Sequence, residues 1–409
     1  MRIKKFDPTT LSAVQLSESD LASLADLRHR LAGFHDPRML GKTCFPLPEV
    51  ILIAFCAMLA NCDHFTEFAE FARWQLPWLS SFLSLPSGAP SHDVFRNVFI
   101  ALKPEALLKV MSQWVGSTNG QHVIIDGKAL RGTNQGRQGA AAKVFLLRAW
   151  VRQAGLSIGQ LPCGEKSCEL AAMRPLLESL HLTGAVISID AAGTHTEVAG
   201  EIHEQGADYV LALKMNQPQA YATVKQHFDE VGQIDPRTPA AALPDTDAAH
   251  LRHETVELSH GRYEQRITTT TGALDWFTRA WKWPGLQSIT EVRRRTHRNG
   301  SRAELSEEVH YYLSSLPSDA ERLAKTIRDH WAVENGCHHI LDVTFREDHC
   351  QVQDTNAAQN LSLLREMALK VLKDYPLKAS VAAKRKLASH SPVFRLKAFL
   401  HGIRSIFQA

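Results

Sequence analysis

At 409 residues the chain is long enough for two or three domains with ample core, and its 44% apolar and 22% charged content is that of a soluble globular protein. A net charge of +3 excludes a polycation overall, although local charge is uneven. Seven scattered cysteines, odd in number and without a Cys-x-x-Cys, argue against a disulfide framework and fit a reducing, cytoplasmic setting.

The N-terminus, Met1 to Asp7, carries charge with no apolar stretch behind it, so no signal peptide is expected. Helices come first: Leu21 to Phe34, the apolar run Val50 to Ala60 behind Pro46 and Pro48, His64 to Trp74, Ser91-capped His92 to Leu102, and Pro104 through Trp114. Val50 to Ala60 is too short to span a bilayer and reads as a buried helix. These short helices fit either a plain bundle or one holding a helix-turn-helix. Near Gly120 the pattern turns to strands: Val123 to Ile125, then Lys143 to Arg152 and Leu156 to Leu161 around Gln153-Ala154-Gly155, a hairpin. A helix over Cys168 to Leu180, interrupted by Pro175, precedes the strand Ala185 to Ile189. Thr194-x-x-Glu197 has the form of a capping box for a helix ending near Gly206. Asp208 to Leu213 is a further apolar strand. The order strand, hairpin, helix, strand, helix, strand predicts an α/β layered core with a mixed sheet, spanning 118–217.

From Pro218 to Glu308 the pattern becomes β-rich, with an exposed loop over Asp235 to Ala249 and alternating strands at Thr255 to Leu258, Tyr263 to Thr271 and Ser288 to Arg295. We read 218–308 as an insertion. His310 to Leu316 is one more strand, and helices follow over Ser318 to Asn335 and Asn356 to Asp374, so that 309–375 completes the core and 376–409 forms a basic helical tail. Arg293, Arg294, Arg295, Arg298 and Arg302 crowd one segment. Nine cations between Lys370 and Arg404 face Asp374 alone. Either a solvated basic face or a surface for a polyanion fits such charge.

Three carboxylates carry the chemical signal. Asp126 and Asp190 each end an apolar run, where α/β sheets gather ligands, and the small residues Gly127 and Ala191-Ala192-Gly193 would let a ligand approach. Aspartate also ends strands because it favours turns; the pair in one core is what singles these out. Glu334 falls between Ile327 and Leu341 on a helical wheel whose apolar stripe is Leu323, Ile327, Trp331 and Leu341, with a snorkelling or salt-bridged glutamate as the alternative. Three converging carboxylates repel one another unless a cation neutralises them, which points to Mg²⁺ or Mn²⁺ and to phosphodiester chemistry. Lys128, Arg131, Lys214, Asn216 and His330 stand nearby in sequence as groups to hold phosphates or orient the attacking group. Asp342, Glu347 and Asp348 compete as acids but read as supporting ones. Cys337-His338-His339 and His349-Cys350 lack zinc-ligand spacing.

Val123-Ile-Ile-Asp-Gly-Lys-Ala-Leu-Arg-Gly132, Gly206-Ala-Asp-Tyr-Val-Leu-Ala-Leu-Lys-Met-Asn-Gln217, and His330-Trp-Ala-Val-Glu-Asn335 followed by Leu341-Asp-Val-Thr-Phe-Arg-Glu-Asp348 resemble bacterial insertion-sequence transposases of the H-repeat-associated type. His35-Asp-Pro-Arg38 and Pro90-Ser-His-Asp-Val-Phe95 resemble that family's N-terminal associated domain, here 1–117. The resemblance implies a DDE enzyme with a ribonuclease H-like mixed sheet flanked by helices, an N-terminal helical domain and a β-rich insertion. It implies Asp126, Asp190 and Glu334 as catalytic, metal-binding acids. It further implies Mg²⁺ or Mn²⁺, double-stranded DNA as partner (terminal inverted repeats and target), a homodimer on DNA, no membrane, and a bacterial cytoplasmic or nucleoid setting. The chain departs from the wider group on the last helix, where Ile327, His330 and Leu341 occupy the Tyr, Arg and Lys positions. Two alternatives are a metal-dependent nuclease without strand transfer and a catalytically silent, transposase-derived DNA-binding protein.

Overall fold

The computed structural model describes residues 17–36, 38, 43–133, 144–164, 169–232, 250–259, 262–298 and 306–408. The expectations that fall on Met1 to Asp7, Lys143, Cys168, the loop Asp235 to Ala249 and Arg302 lie outside them.

Helices α1 (Glu18–Ala32), α2 (Leu47–Leu59), α3 (Phe65–Trp74), α4 (Leu76–Leu79), α5 (His92–Ala101) and α6 (Pro104–Val115) come first. Ser17 and Asp20 cap α1 reciprocally, the Asp20 N–H donating to Ser17 Oγ and the Ser17 N–H to Asp20 Oδ2. All thirteen residues of α2 are buried, which explains its apolar run from Val50 to Leu59, and its one charged residue, Glu49, pairs with Arg28. Strands β1 (His122–Leu130), β2 (Val144–Val151) and β3 (Leu156–Cys163) follow, then α7 (Glu169–Glu178), β4 (Val186–Ile189), α8 (Thr196–Glu204), β5 (Asp208–Leu213) and α9 (Pro218–Gly232). Next come β6 (His250–Ser259), β7 (Arg262–Thr271), α10 (Asp275–Thr278), β8 (Ser288–Arg298), β9 (Ser306–Ser314) and α11 (Ala320–His330). A π-helical turn over Glu334–His338, α12 (His339–Val343), α13 (Thr355–Asp374), α14 (Val381–His390) and α15 (Pro392–Gln408) complete the chain.

The nine strands form one sheet in the order β3-β2-β1-β4-β5-β9-β8-β7-β6. Strands β1, β4 and β5 are parallel, and every other pairing is antiparallel. The first five strands, with their antiparallel hairpin at one edge and helices on the faces, have the ribonuclease H-like arrangement. The β-rich segment continues this sheet: β9 pairs with β5 on one side and β8 on the other. Helix α9, which the sequence pattern passed over, buries Ala220, Val224 and Phe228.

One continuous apolar core runs from α1 and α2 through β1–β5 to α13 and α15. The C-terminal helices pack back on the N-terminal ones: Asn360 on α13 donates to the carbonyls of Phe99 (2.9 Å) and Leu102 (2.7 Å) at the end of α5. No described helix is long and apolar enough to cross a membrane.

Three local expectations change. The Thr194–Glu197 capping box does not form; His195 is the N-cap without a side-chain bond, and the Thr194 hydroxyl instead donates to the Ala212 carbonyl at 2.7 Å. The helix expected over Ser318 to Asn335 is interrupted at Trp331 before Ala332 and Val333 lead into the π turn, and Trp331, placed on the apolar stripe, is 57% exposed. Gly127 and Gly193 answer to packing: an added Cβ would stand 2.6 Å from Phe145 and 2.5 Å from Ile189 respectively.

Candidate metal and phosphate site

Parallel pairing of β1 with β4 ends at Ile125↔Ile189, so Asp126 and Asp190 are the next residues on adjacent strands. Strand β1 runs on past Asp126, paired with β2 to Leu130, because β2 is longer than β4. Asp126 is therefore mid-strand, not at a strand end as its apolar run implied. Asp190 caps the short 3₁₀ turn Ala191–Gly193, its Oδ1 accepting from the Ala192 N–H at 3.1 Å. Side chains two apart share a sheet face. Asp126, Ser188, Asp190, Ala212 and Lys214 thus line one cleft of about 250 Å³. Helix α11 lies over that face and delivers His330, and the turn behind it delivers Glu334 to the same cleft.

Glu334 is carried by the π turn, an insertion type that recurs at functional sites. Its Oε2 lies 3.3 Å from His338 Nδ1, and this hydrogen bond holds the Glu334 carboxyl below its ordinary range despite partial burial. His338 Nδ1 is also 3.4 Å from Asp126 Oδ2. Asp126, Glu334 and His338 each offer a ligand atom within 4.8 Å of the others. Cys337 and Cys350 are buried and not in this cluster. The sequence reading set His338 aside; its spacing of four residues from Glu334 was the available signal.

His330 anchors its ring through a buried chain: its Nδ1 lies 2.8 Å from Ser188 Oγ, which lies 2.7 Å from His122 Nε2. Burial lowers the His330 pKa, partly opposed by the charges of Asp126 and Asp190. In the DNA-free protein it is then a neutral hydrogen-bonding group near pH 7, not a cation standing in for arginine.

Lys128 follows Asp126 on the same face, but it is buried and engaged. Its Nζ is 2.7 Å from Asp342 and 2.8 Å from Glu347 and donates to the His338 carbonyl at 3.4 Å. Glu347, fully buried, also meets Arg148 at 3.5 Å and accepts from the Ser362 hydroxyl. Lys128 so ties β1 to the π turn, and the expectation that it holds phosphate gives way to a bracing role. Asn216 is likewise engaged: its Nδ2 donates to the carbonyls of Ala191 (2.6 Å) and Thr194 (3.4 Å), fixing the loop behind Asp190. Lys214 is exposed at the cleft. Arg131 is 78% exposed, with Asp348 at 3.5 Å.

Several cations of the basic segments are paired within the fold, while Lys378, Lys386 and Lys397 are exposed. On β8, Arg293 and Arg295 face one side of the sheet and Arg294 the other. Arg293 pairs with Glu291 (2.6 Å), Arg294 with Glu264 (2.8 Å) and Arg295 with Glu307 (2.6 Å). In the C-terminal segment, Lys384 donates to the carbonyls of Leu372 and Tyr375 at 2.7 Å each. Arg385 pairs with Asp63 at 2.5 Å, and Arg395 lies 4.2 Å over the Trp78 ring. These cations knit helices together, because a buried charge must find partners.

Residues 117–369, more than half the chain, match the family model described as "Transposase DDE domain", and residues 28–115 match "DDE_Tnp_1-associated". "Putative transposase YncI" of Escherichia coli O157:H7 is 29% identical over 89% of this chain and 92% of its own length. "H repeat-associated putative transposase YhhI" of E. coli K12 is 29% identical over 90% and 95%. A solved "piggyBac transposase synaptic complex with hairpin DNA" overlaps 96% of this chain and 83% of that one at a TM-score of 0.42 and 11% identity, a likeness too slight to argue from.

Proposed function

The chain belongs to the DDE transposase family, with relatives of the H-repeat-associated type, and from that premise we propose the chemistry and the residues by which it acts on DNA. It hydrolyses a phosphodiester at the ends of its own insertion sequence and transfers the freed 3′-hydroxyl to target DNA. Asp126, Asp190 and Glu334 hold Mg²⁺ or Mn²⁺. One observation carries this reading: two aspartates stand next to each other where the β1–β4 pairing ends, and a turn more than a hundred residues downstream brings a glutamate to the same cleft. Asp126 and Glu334 bring ligand atoms within 4.8 Å of each other, Asp190 lines the same cleft outside that group, and this oxygen-rich set fits a hard divalent ion, with Lys128 committed to Asp342 and Glu347. When bound, such an ion supplies activation of a water or 3′-hydroxyl and stabilises the leaving oxygen.

The chain's own residues do the rest. Lys214, exposed beside Asp190, steadies the scissile phosphate. His330, its ring fixed through Ser188, presents a neutral imidazole that orients the attacking hydroxyl or the phosphate. Arg131, just beyond the end of β1, meets the DNA backbone. Two element ends must be brought together, so the working form is a homodimer on DNA.

The test is a strand-transfer assay with a pre-cut oligonucleotide carrying an element end, in Mg²⁺ or Mn²⁺. Joined products are expected from the native protein, and none from Asp126→Asn, which still binds the DNA. Cutting without joining would favour the nuclease, binding with neither would favour a silent DNA-binding protein, and cleavage surviving Asp126→Asn would move the site elsewhere.

A further inference from the structure

We propose that His338 is itself a metal ligand, its Nδ1 joining Asp126 and Glu334 in a mixed nitrogen–oxygen site that favours Mn²⁺ over Mg²⁺. This rests on the reading of Asp126 and Glu334 as metal-binding acids and adds a residue and an ion preference to it.

The geometry comes first. His338 Nδ1 stands 3.3 Å from Glu334 Oε2 and 3.4 Å from Asp126 Oδ2. Two ligands at right angles on an ion, each about 2.1 Å from it, are about 3 Å apart. Nitrogen-to-oxygen distances of this size become coordination spacings with shifts of a few tenths of an ångström. The second observation is confinement. The His338 side chain is 5% exposed, and its Nε2 is buried with no hydrogen-bond partner among the described residues. The ring therefore meets polar partners only through Nδ1, and both of them are carboxylates. Its backbone is fastened too, the Lys128 ammonium donating to the His338 carbonyl. Nδ1 is aimed between two acids, and when it takes an ion the neutral ring carries its proton on Nε2.

The ligand set then decides the ion. Carboxylates and water suit Mg²⁺ and Mn²⁺ alike, whereas imidazole suits the transition metals. One imidazole nitrogen among oxygens shifts the balance toward Mn²⁺ without forbidding Mg²⁺.

The experiment needs no DNA and no turnover. Mn²⁺ is titrated into the full-length protein and bound ion is counted from the loss of the free-ion electron paramagnetic resonance signal. Spin-echo envelope modulation of the bound ion reports directly coordinated ¹⁴N. The native protein should show nitrogen modulation. His338→Gln should lose it and bind Mn²⁺ at least about tenfold more weakly, since even indirect supports of a metal cost 10–100-fold when removed. Its Mg²⁺ affinity, read by competition, should change less than about threefold. Asp126→Asn should lose the site for both ions. Bound Mn²⁺ without nitrogen modulation in the native protein overturns the inference and needs no variant to fold. Modulation that persists in His338→Gln also overturns it, by assigning the nitrogen to another histidine. In either case, loss of binding in Asp126→Asn would leave the wider metal-site reading standing. Undiminished Mn²⁺ binding in Asp126→Asn would sink that wider reading as well.

Discussion

Glu347→Gln isolates the buried brace beneath the cleft. Glu347 is 0% exposed and stands between two cations that are nearly as deep, Lys128 at 2.8 Å and Arg148 at 3.5 Å. These neighbours hold its carboxyl far below the ordinary 4.5 of a glutamate against the opposing effect of burial. Glutamine keeps the volume and an acceptor for the Ser362 hydroxyl but removes the one anion that, among the described residues, pairs with both cations. Lys128 would keep Asp342, and Arg148 would keep the charge of Glu366. Breaking a buried pair by removing one partner costs about 3–5 kcal/mol. At about 2.1 cal/mol/K per residue over 409 residues, a loss of about 4 kcal/mol lowers Tm by about 5 °C if the chain melts as one unit. Calorimetry at pH 7.5 measures this. The sign of the pH dependence is fixed as well. A depressed carboxyl contributes its stabilisation above pH 4.5 and loses it as the pH falls further, so the gap between native and variant should close progressively below that value. A variant melting within 1 °C of the native protein, or a gap unchanged down to pH 3, would refute the brace.

Two further outcomes follow from the same contacts. Lys214→Gln should weaken DNA binding and flatten the slope of log affinity against log salt by about 0.9, the value of one phosphate contact, whereas Arg293→Gln and Arg295→Gln, paired with Glu291 and Glu307, should leave the slope unchanged; filter binding between 50 and 200 mM salt would tell. Burial pushes the His122 pKa down to about 3 from 6.5, so neutral His122 supports the fold above pH 6.5 and that support is lost as the pH falls toward 3. His122→Gln, which can keep a bond to Ser188, should lose stability between pH 6 and 5 less steeply than the native protein, by about 1.4 kcal/mol per unit, and parallel melting curves would exclude this.

The α/β order was readable because its strands are short apolar runs bounded by turn residues, and both aspartates announced themselves by following such runs. Glu334 was reached by a wheel that takes one unbroken α-helix as its premise: the helix is interrupted at Trp331, which turns outward, and resumes through Ala332 and Val333. The glutamate arrives at the cleft through the π turn instead. Contacts between distant residues left no local trace. Lys128 and Asp342 are 214 residues apart, and nothing near either names the other. That β9 lies between β5 and β8, making the β-rich segment part of the main sheet, depends on pairings such as Leu211↔Leu313 and Ile289↔Leu313 that span long stretches of chain. The arginine run hides its pairings for a simpler reason: adjacent residues of a strand point to opposite faces, and Arg293, Arg294 and Arg295 each have a glutamate on their own face.

Charge accounting around the cleft joins these contacts to the proposed chemistry. Lys128, two residues beyond Asp126 on the same face, is drawn down into the scaffold by Asp342 and Glu347, which leaves Lys214 as the lysine that lines the cleft. Asn216, which could bond Asp190, is turned to the carbonyls behind it. His330 is kept neutral by burial, and His338 is one ring shared by two carboxylates. The supporting residues therefore hold the acids in place without quenching them. An enzyme that relied on its own lysine at this position would be electrostatically satisfied before any ion or phosphate arrived. This chain uses that lysine to set geometry, and leaves the carboxylates' charge available to a divalent cation.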